Sequence, residues 1–310
     1  MSPVFQHWST DPFDLAVCLV VVVHVRGLRA RLRLVRRANR PTTPWLQQAA
    51  LFYAGLAVLI VAVTSPIDYW SERYLSAHIV QHLLLAFFAP PLIVLGAPWV
   101  PLMRGLPRPL RRRLGRLMQL SRSGSPGASG PVRRLIVSIR RVMSRPITAV
   151  ILFNVTMVFW HLPGPFDAAL TNQAVHIWLE HASFLGFGIA LWFQIFGSYP
   201  LRPILDGPRR VAALVTTNAV MVLVAMTLAM FTKAIYIGYD TVHTLAQRAA
   251  DQQIGGSILW VCGEVSFLPA ILYTVMRWLD TESAQSPPDH LQSPDPIPVP
   301  PKLARSSFIQ

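Results

Sequence analysis

The chain has 310 residues, of which 53% are hydrophobic and only 14% are charged, and its mean hydropathy is +0.43. This composition excludes an ordinary soluble domain and predicts an all-α, polytopic membrane protein. The net charge of +14 does not indicate a nucleic-acid-binding protein, because the arginines cluster between apolar runs and no nucleic-acid module accompanies them. The two cysteines lie inside apolar runs and predict neither a disulfide framework nor a Cys-x-x-Cys site.

Seven apolar runs are candidates for transmembrane helices, each of which needs about 20 residues. The first run follows a stretch without Lys or Arg, which is the wrong polarity for a cleavable signal peptide, so we expect it to be retained. In the third run, Pro90 and Pro91 remove backbone donors and predict a kink. The predicted spans are 13–34, 45–64, 76–103, 146–161, 175–196, 209–232 and 252–278.

The distribution of basic residues predicts the orientation of this seven-helix bundle. If the spans alternate in direction, 25 of the 28 lysines and arginines fall on one side, and the exceptions are Arg73, Lys233 and Arg248. We therefore expect the N-terminus outside and the C-terminus in the cytoplasm.

The predicted membrane domain covers residues 1–280 and includes a basic cytoplasmic loop, 104–145. This loop holds two amphipathic stretches, LRRRLGRLMQL and VRRLIVSIRRVM, joined by a Ser- and Gly-rich linker. Such stretches are typical of helices that lie on a leaflet of anionic lipids, although their simplest role is to fix the orientation. Residues 281–310 are rich in Pro and Ser and are predicted to form a disordered tail.

Histidines and acidic residues gather at the predicted outer ends of four spans. Imidazole is a ligand for copper, zinc and iron, and ionisable groups at membrane depth usually face an interior cavity. The sequence therefore predicts a metal site at the outer face. Its candidate residues are His78, His82, His161, His176, Glu180, His181 and Asp251.

Helical spacing sets limits on this site. His78 and His82 are four residues apart, so their imidazoles share one helix face. Glu180 is one turn from His176 and is placed to orient it as an acceptor. On an α-helix, His181 would be rotated by about 140° from His176, so the two should not both point at one ion.

Other polar and sulfur-containing residues receive weaker predictions. Met226 and Met230 approach the same level, but we expect them to serve in packing. Glu264 inside the seventh span is a functional candidate, with a protonated carboxyl bonded to another helix as its alternative. The remaining histidines, for which we predict no role, are His7, His24, His243 and His290.

Four blocks of this sequence together resemble one known family, the integral-membrane assembly factors of caa3-type cytochrome c oxidase. The blocks are SAHIVQHLLLAFFAPPLIVLGAP (76–98), FNVTMVFWHLPGPFDAAL (153–170), VHIWLEHASFL (175–185) and DQQIGGSILWVCGE (251–264). The resemblance implies a seven-helix protein of the bacterial plasma (inner) membrane that works with oxidase subunits, with copper as its cofactor. It points to the same seven candidate residues.

Two other functions remain open at this stage. A membrane redox protein would hold haem between two histidines, for instance His82 and either His161 or His181. A transporter would need polar residues through the whole thickness of the bilayer. The cytoplasmic halves of the predicted spans offer few apart from Glu264. A protease or hydrolase is disfavoured, since no His-Glu-x-x-His or Gly-x-Ser-x-Gly pattern occurs, and we expect a protein that is not an enzyme.

Overall fold

The structure, a computed structural model, describes residues 7–8, 12–120, 145–239 and 244–285. Apart from one isolated bridge between Ser198 and Leu201, the regular structure of these residues is helical. The elements are α1 (Pro12–Arg37), α2 (Thr43–Thr64), α3 (Pro66–Ser71), α4 (Leu75–Leu83), the π-turn π1 (Leu84–Phe88), α5 (Ala89–Leu95), α6 (Trp99–Gly105), α7 (Arg108–Leu120), α8 (Pro146–Trp160), α9 (Pro163–Thr171), α10 (Gln173–Val175), the π-turn π2 (His176–His181), α11 (Ala182–Phe196), α12 (Gly207–Met230) and α13 (Leu245–Gln285).

Five helical rods in the described part of the chain are long and apolar enough to cross a membrane. They are α2, the rod Leu75–Leu95, the rod Gln173–Phe196, α12 and α13. The pair α8 and α9 makes a sixth if it is taken as one span, bent by 75°. The helix α1 is not among them, because charged residues recur along it. The all-α membrane class is therefore confirmed, whereas the count of seven stays a prediction.

The third predicted span ends earlier than expected. The rod stops at Leu95, Ala97 adopts a φ of 45°, and α6 then starts as a separate helix. Pro98 lacks the N–H that would continue the helix. The helix therefore ends here, although the sequence remains apolar beyond this point. The prediction of one continuous span over 76–103 was therefore wrong at its C-terminal end.

The separate helix α6 packs closely against α1. A Cβ atom on Gly27 would lie 1.7 Å from the Pro101 carbonyl oxygen, and one on Gly105 would lie 1.8 Å from the Val23 carbonyl oxygen. Such distances are far inside van der Waals contact, so only glycine permits the two backbones to approach here. Close approach through small residues is a common way for helices to associate in lipid.

The predicted tail begins later than expected. In α13 the Thr281 hydroxyl donates to the Arg277 carbonyl at 2.7 Å, and Trp278 Nε1 donates to Glu282 Oε1 at 2.7 Å. These i,i+4 contacts continue the helix, so residues 281–285 are helical and not disordered. Residues 286–310 lie outside the described residues, as do 121–144, which contain the second basic stretch. The first basic stretch is helical, within α7.

Around the Pro90-Pro91 pair, side chains of two other rods form hydrogen bonds with backbone carbonyls of the rod Leu75–Leu95. The two prolines cannot donate to the carbonyls four residues earlier, those of Ala86 and Phe87. Trp192 Nε1 of α11 donates to the Ala86 carbonyl at 3.1 Å, and Ser266 Oγ of α13 donates to the Phe87 carbonyl at 2.9 Å. The two carbonyls lie within π1 and are satisfied by side chains of two neighbouring helices, as the interior of a bilayer requires.

Aromatic packing fills the same level of the bundle. The Phe87 ring lies 5.7 Å from that of Phe153 and 5.1 Å from that of Phe267, which in turn lies 5.8 Å from the Trp192 ring. All four side chains are buried. These rings therefore form a packed aromatic layer close to the Pro90-Pro91 pair.

Replacing Ser266 by Ala removes the donor to the Phe87 carbonyl and should lower the free energy of unfolding in detergent by about 1 kcal/mol. The matched control is Ser257→Ala, because the exposed Ser257 hydroxyl bonds only to the Gln253 carbonyl of its own helix. Equal unfolding midpoints for the two variants would contradict the proposed role of Ser266.

Candidate metal centre

The segment that carries His176, Glu180 and His181 is a single π-turn, π2. Asn172 starts this rod, because its side-chain oxygen accepts from the N–H groups of Ala174 and Val175 at 3.0 and 3.3 Å. In a π-turn the hydrogen bonds span five residues, so positions i and i+5 lie above one another. The His176 and His181 rings are 4.1 Å apart. The two rings are therefore neighbours, but the group of ligand atoms within 4.8 Å of one another includes His176 and not His181, in agreement with the expectation that the two do not both point at one ion.

The histidine pair of α4 faces the same pocket. His78 and His82 place their Nε2 atoms 2.8 Å apart and their rings 4.3 Å apart. Both side chains are buried, with exposed fractions of 0% and 2%. The spacing of four residues therefore brings both imidazoles to one interior point, as predicted.

Glu180 lies at the centre of the cluster. Its Oε2 atom is 3.0 Å from His176 Nδ1 and 3.5 Å from His78 Nε2, and its Oε1 atom is 3.2 Å from His82 Nε2. The side chain has no exposed surface. Glu180 therefore contacts His78 and His82 of α4 as well as His176 of its own segment, within the group of candidate residues predicted from the sequence.

His161 joins the cluster from the end of α8. Its Nδ1 atom lies 2.6 Å from the Met157 carbonyl oxygen, which can only accept, so Nδ1 carries the proton. This hydrogen bond fixes the tautomer and leaves Nε2 with a free lone pair. The His161 ring is 5.6 Å from that of His82. The orientation suits a metal ligand whose second nitrogen is held by the backbone.

Several buried polar atoms of the cluster have no hydrogen-bond partner among the described residues. They include His161 Nε2, His176 Nε2, His181 Nε2 and the Nδ1 atoms of His78 and His82. Within the described ranges the groups that pair with Glu180 are imidazoles, and no Lys or Arg is among them. A buried carboxylate is costly without a compensating positive charge. The cluster therefore favours a bound cation or a protonated imidazole.

Three of these residues meet the geometric requirement for a metal ion most directly. His78, His176 and Glu180 each offer one ligand atom, and these atoms lie within 4.8 Å of one another. All three side chains are buried. The structure thus brings together six of the seven predicted candidates in one pocket, and these three form its tightest group.

The seventh candidate, Asp251, is engaged elsewhere. Its Oδ2 atom accepts from the N–H groups of Leu75 and Ser76 at 2.6 and 3.3 Å, and its Oδ1 atom accepts from the Ser76 hydroxyl. These are the first free N–H groups of α4, which a carboxylate caps and whose helix dipole it complements. Asp251 therefore positions the helix that carries His78 and His82, and we leave it out of the ligand set.

A roof of aromatic side chains covers the cluster. Phe166 lies 4.8 Å from the His78 ring and 4.1 Å from the Tyr236 ring, and the Tyr236 hydroxyl donates to the His161 carbonyl at 2.9 Å. Tyr239 donates to the Ser71 carbonyl at 3.0 Å. Burial raises the pKa of both phenols, that of Tyr239 with an added contribution from Asp251, so both remain protonated donors. These aromatic side chains therefore cover the cluster on the side of Phe166 and Tyr236.

The weaker predictions have mixed outcomes. Met226 is half-buried, whereas Met230 is 71% exposed and is not packed inside the bundle as expected. Glu264 accepts from Asn218 Nδ2 at 3.1 Å, in agreement with the alternative of a carboxyl bonded to another helix. His24 is buried elsewhere and lies 2.8 Å from the Tyr53 hydroxyl. His243 and His290 lie outside the described residues.

Sequence reasoning missed the residues that hold the site in place. The Met157 carbonyl, the Tyr236 hydroxyl and the Ser76 hydroxyl belong to no motif. Gln81 was also missed, although its Nε2 atom ties α4 to the Ala62 carbonyl at 2.9 Å and to Asp68 at 2.8 Å. The signal for Gln81 was present, since a polar residue between His78 and His82 in an otherwise apolar run needs a partner.

The fold and the site together define a polytopic helical membrane protein with a buried histidine–carboxylate cluster near one end of its bundle. The model of the cytochrome c oxidase caa3 assembly factor family matches residues 28–281, which is most of the chain. The chain therefore belongs to this family, and the resemblance seen in the sequence is confirmed. No solved structure is significantly similar to it.

Three curated relatives from mycobacteria are also similar to this chain. Uncharacterized proteins of Mycobacterium bovis and Mycobacterium tuberculosis are each 25% identical over 284 residues, and one of Mycobacterium leprae is 25% identical over 287 residues. The matches cover 90%, 90% and 88% of this chain but 40% of each relative. This chain thus spans well under half the length of these relatives.

Replacing Asp251 by Ala leaves the N–H groups of Leu75 and Ser76 uncapped and should lower the free energy of unfolding by about 1–2 kcal/mol. The control is Glu72→Ala, because Glu72 pairs only loosely with Arg73, at 3.7 Å, on the surface. Detergent unfolding curves measure both. An Asp251 variant as stable as the control would show that the cap does not hold α4.

Proposed function

We propose that this family member binds copper through its buried histidine cluster and passes it to a subunit of cytochrome c oxidase during assembly. Family membership supports a role in oxidase assembly. The observation that carries the copper proposal is the contact of one buried carboxylate with imidazoles from two helices. Oxidase subunits are accordingly the proposed partners.

The chemistry of the donor set fits copper. Imidazole nitrogens are good copper ligands, and several here are buried and lack a partner among the described residues. His78, His176 and Glu180 would hold the ion, with His82, His161 and His181 beside them. A bound copper ion supplies the positive charge that the buried Glu180 carboxylate otherwise lacks.

The same donor set suits transfer better than storage. Thiolates bind copper(I) more tightly than imidazoles and carboxylates do, and the described cluster contains no cysteine. Chain residues orient and shield the site: Met157 and Glu180 orient imidazoles, and Tyr236 helps to close the roof. We therefore propose a metal-handling protein that is not an enzyme.

We further propose seven crossings of the bacterial plasma membrane, with α1 as the first, the N-terminus outside and the C-terminus in the cytoplasm. The distribution of arginines supports this orientation, and α7 supports contact between the basic loop and anionic lipids. Nucleic acid is not a proposed partner. With this orientation the histidine cluster lies near the outer surface, where copper for the oxidase would be received.

Haem binding is the second candidate, and the geometry favours it less. A haem between His82 and His161 would need an open slot at His82 Nε2. This atom instead lies 2.8 Å from His78 Nε2 and 3.2 Å from Glu180 Oε1, and the His82 ring is 4.5 Å from the Phe184 ring. Small ions fit such a packed cluster better than a macrocycle does.

Replacing His78 and His82 together by Ala should abolish copper binding by detergent-purified protein, because both α4 ligands are lost. Metal analysis after copper loading and desalting measures the change, and size-exclusion chromatography confirms that the variant is folded. The matched control, His7→Ala, removes an exposed histidine that stacks on Tyr69 and should retain copper.

Unchanged copper in the double variant would refute the proposed site. An absorption spectrum of the protein as isolated separates the two candidate functions. A Soret band lost with His82 would favour haem, whereas a protein without that band that binds copper would favour the metal-handling function.

A further inference from the structure

The buried cluster offers more donor atoms than one metal ion uses. Five imidazoles and two carboxylate oxygens meet in the pocket, and none of these residues is more than 8% exposed. Metal sites built from histidine and carboxylate usually take three or four protein ligands. One ion would leave several buried nitrogens without any partner, and an unpaired polar group is unfavourable in an apolar interior.

The two oxygens of Glu180 face different histidines. Oε2 lies against His176 Nδ1 and His78 Nε2, at 3.0 and 3.5 Å, and Oε1 lies against His82 Nε2 at 3.2 Å. A carboxylate in this position can give one oxygen to each of two ions. Pairs of ions held in proteins are typically about 3.5–4 Å apart, which a carboxylate can bridge.

Each side of the carboxylate has its own set of imidazoles. On the Oε2 side, His78, His176 and Glu180 form the group whose ligand atoms all lie within 4.8 Å. On the Oε1 side, the His82 ring is 5.6 Å from that of His161, whose Nε2 atom is unpaired. The Met157 carbonyl holds the His161 ring in this orientation, although no hydrogen bond within the cluster requires it.

The contact between His78 and His82 agrees with two separate sets of ligands, one at each oxygen of Glu180. Their Nε2 atoms are 2.8 Å apart, so in the absence of cations one ring must donate its N–H to the other. If each nitrogen binds its own ion, neither needs to donate. Both Nδ1 atoms, which are buried and have no hydrogen-bond partner among the described residues, then carry the protons.

We infer that the cluster is a two-ion centre bridged by Glu180, with one ion on His78, His176 and Oε2 and the other on His82, His161 and Oε1. This inference rests on the proposed copper function and adds the number of ions to it. Charge favours copper(I), because two monovalent ions with one buried carboxylate leave the same net charge as a single divalent ion would. His181, whose ring is 4.1 Å from that of His176, lies on the side of the first ion.

Copper stoichiometry tests the inference. Full-length protein in detergent is loaded with copper(I) under ascorbate, desalted and analysed for copper per chain. Two ions are expected, with a copper–copper distance visible in X-ray absorption spectra. One ion in the wild type would overturn the two-ion centre but leave the copper function intact, and no copper would overturn both.

Single variants test the division between the two sides. His161→Ala and His176→Ala should each lower the stoichiometry from two ions to one and remove the copper–copper signal, while His7→Ala should keep two. A folded His161→Ala protein that still binds two ions would overturn the assignment of the second side. Because the wild-type stoichiometry and spectrum are decisive by themselves, the inference stays testable even where a variant fails to fold.

Discussion

The structure depends on the burial of one carboxylate, Glu180, among imidazoles inside a helical bundle. In an apolar interior this group is unfavourable unless positive charge reaches it, and the described residues offer imidazoles in place of lysine or arginine. Three separate helical segments, α4, the end of α8 and π2, must therefore converge on the same few ångströms. The roof residues follow from this requirement, since water at Glu180 would weaken every one of these contacts. The histidine cluster is thus a constraint on the fold as well as a candidate site.

The helix that carries His78 and His82 is held at both of its ends by groups from elsewhere in the bundle. At its start, the Asp251 carboxylate caps the first N–H groups. Beyond its end, the carbonyls released by Pro90 and Pro91 are taken by Trp192 and Ser266. Both sets of hydrogen bonds are needed because there is no water at membrane depth, where unpaired backbone groups are costly. They fix the position of the two imidazoles without contacting them.

The sequence was sufficient to predict the helical membrane class, the gathering of histidines at one depth and the family. Hydropathy and arginine placement are properties of whole segments, and they survive errors of a few residues at each boundary. The π-turn was not predictable, because inserting one residue into a helical turn leaves the apolar pattern almost unchanged, yet it brings the His176 and His181 rings to 4.1 Å from each other. The role of Asp251 was also not predictable from the sequence. A carboxylate at the outer end of a span looks the same in a sequence whether it binds a metal or caps a neighbouring helix.

The length of α13 has a consequence for how the protein sits in lipid. Its 41 residues extend about 60 Å, whereas the hydrocarbon core of a bilayer is about 30 Å thick. A change in bilayer thickness therefore cannot be accommodated by stretching or shortening this helix, and it acts mainly by altering the tilt. Near one end of α13, the hydrogen bonds between Asp251 and Ser76 join this helix to the rod that carries His78 and His82, so the tilt of α13 and the position of that rod are linked.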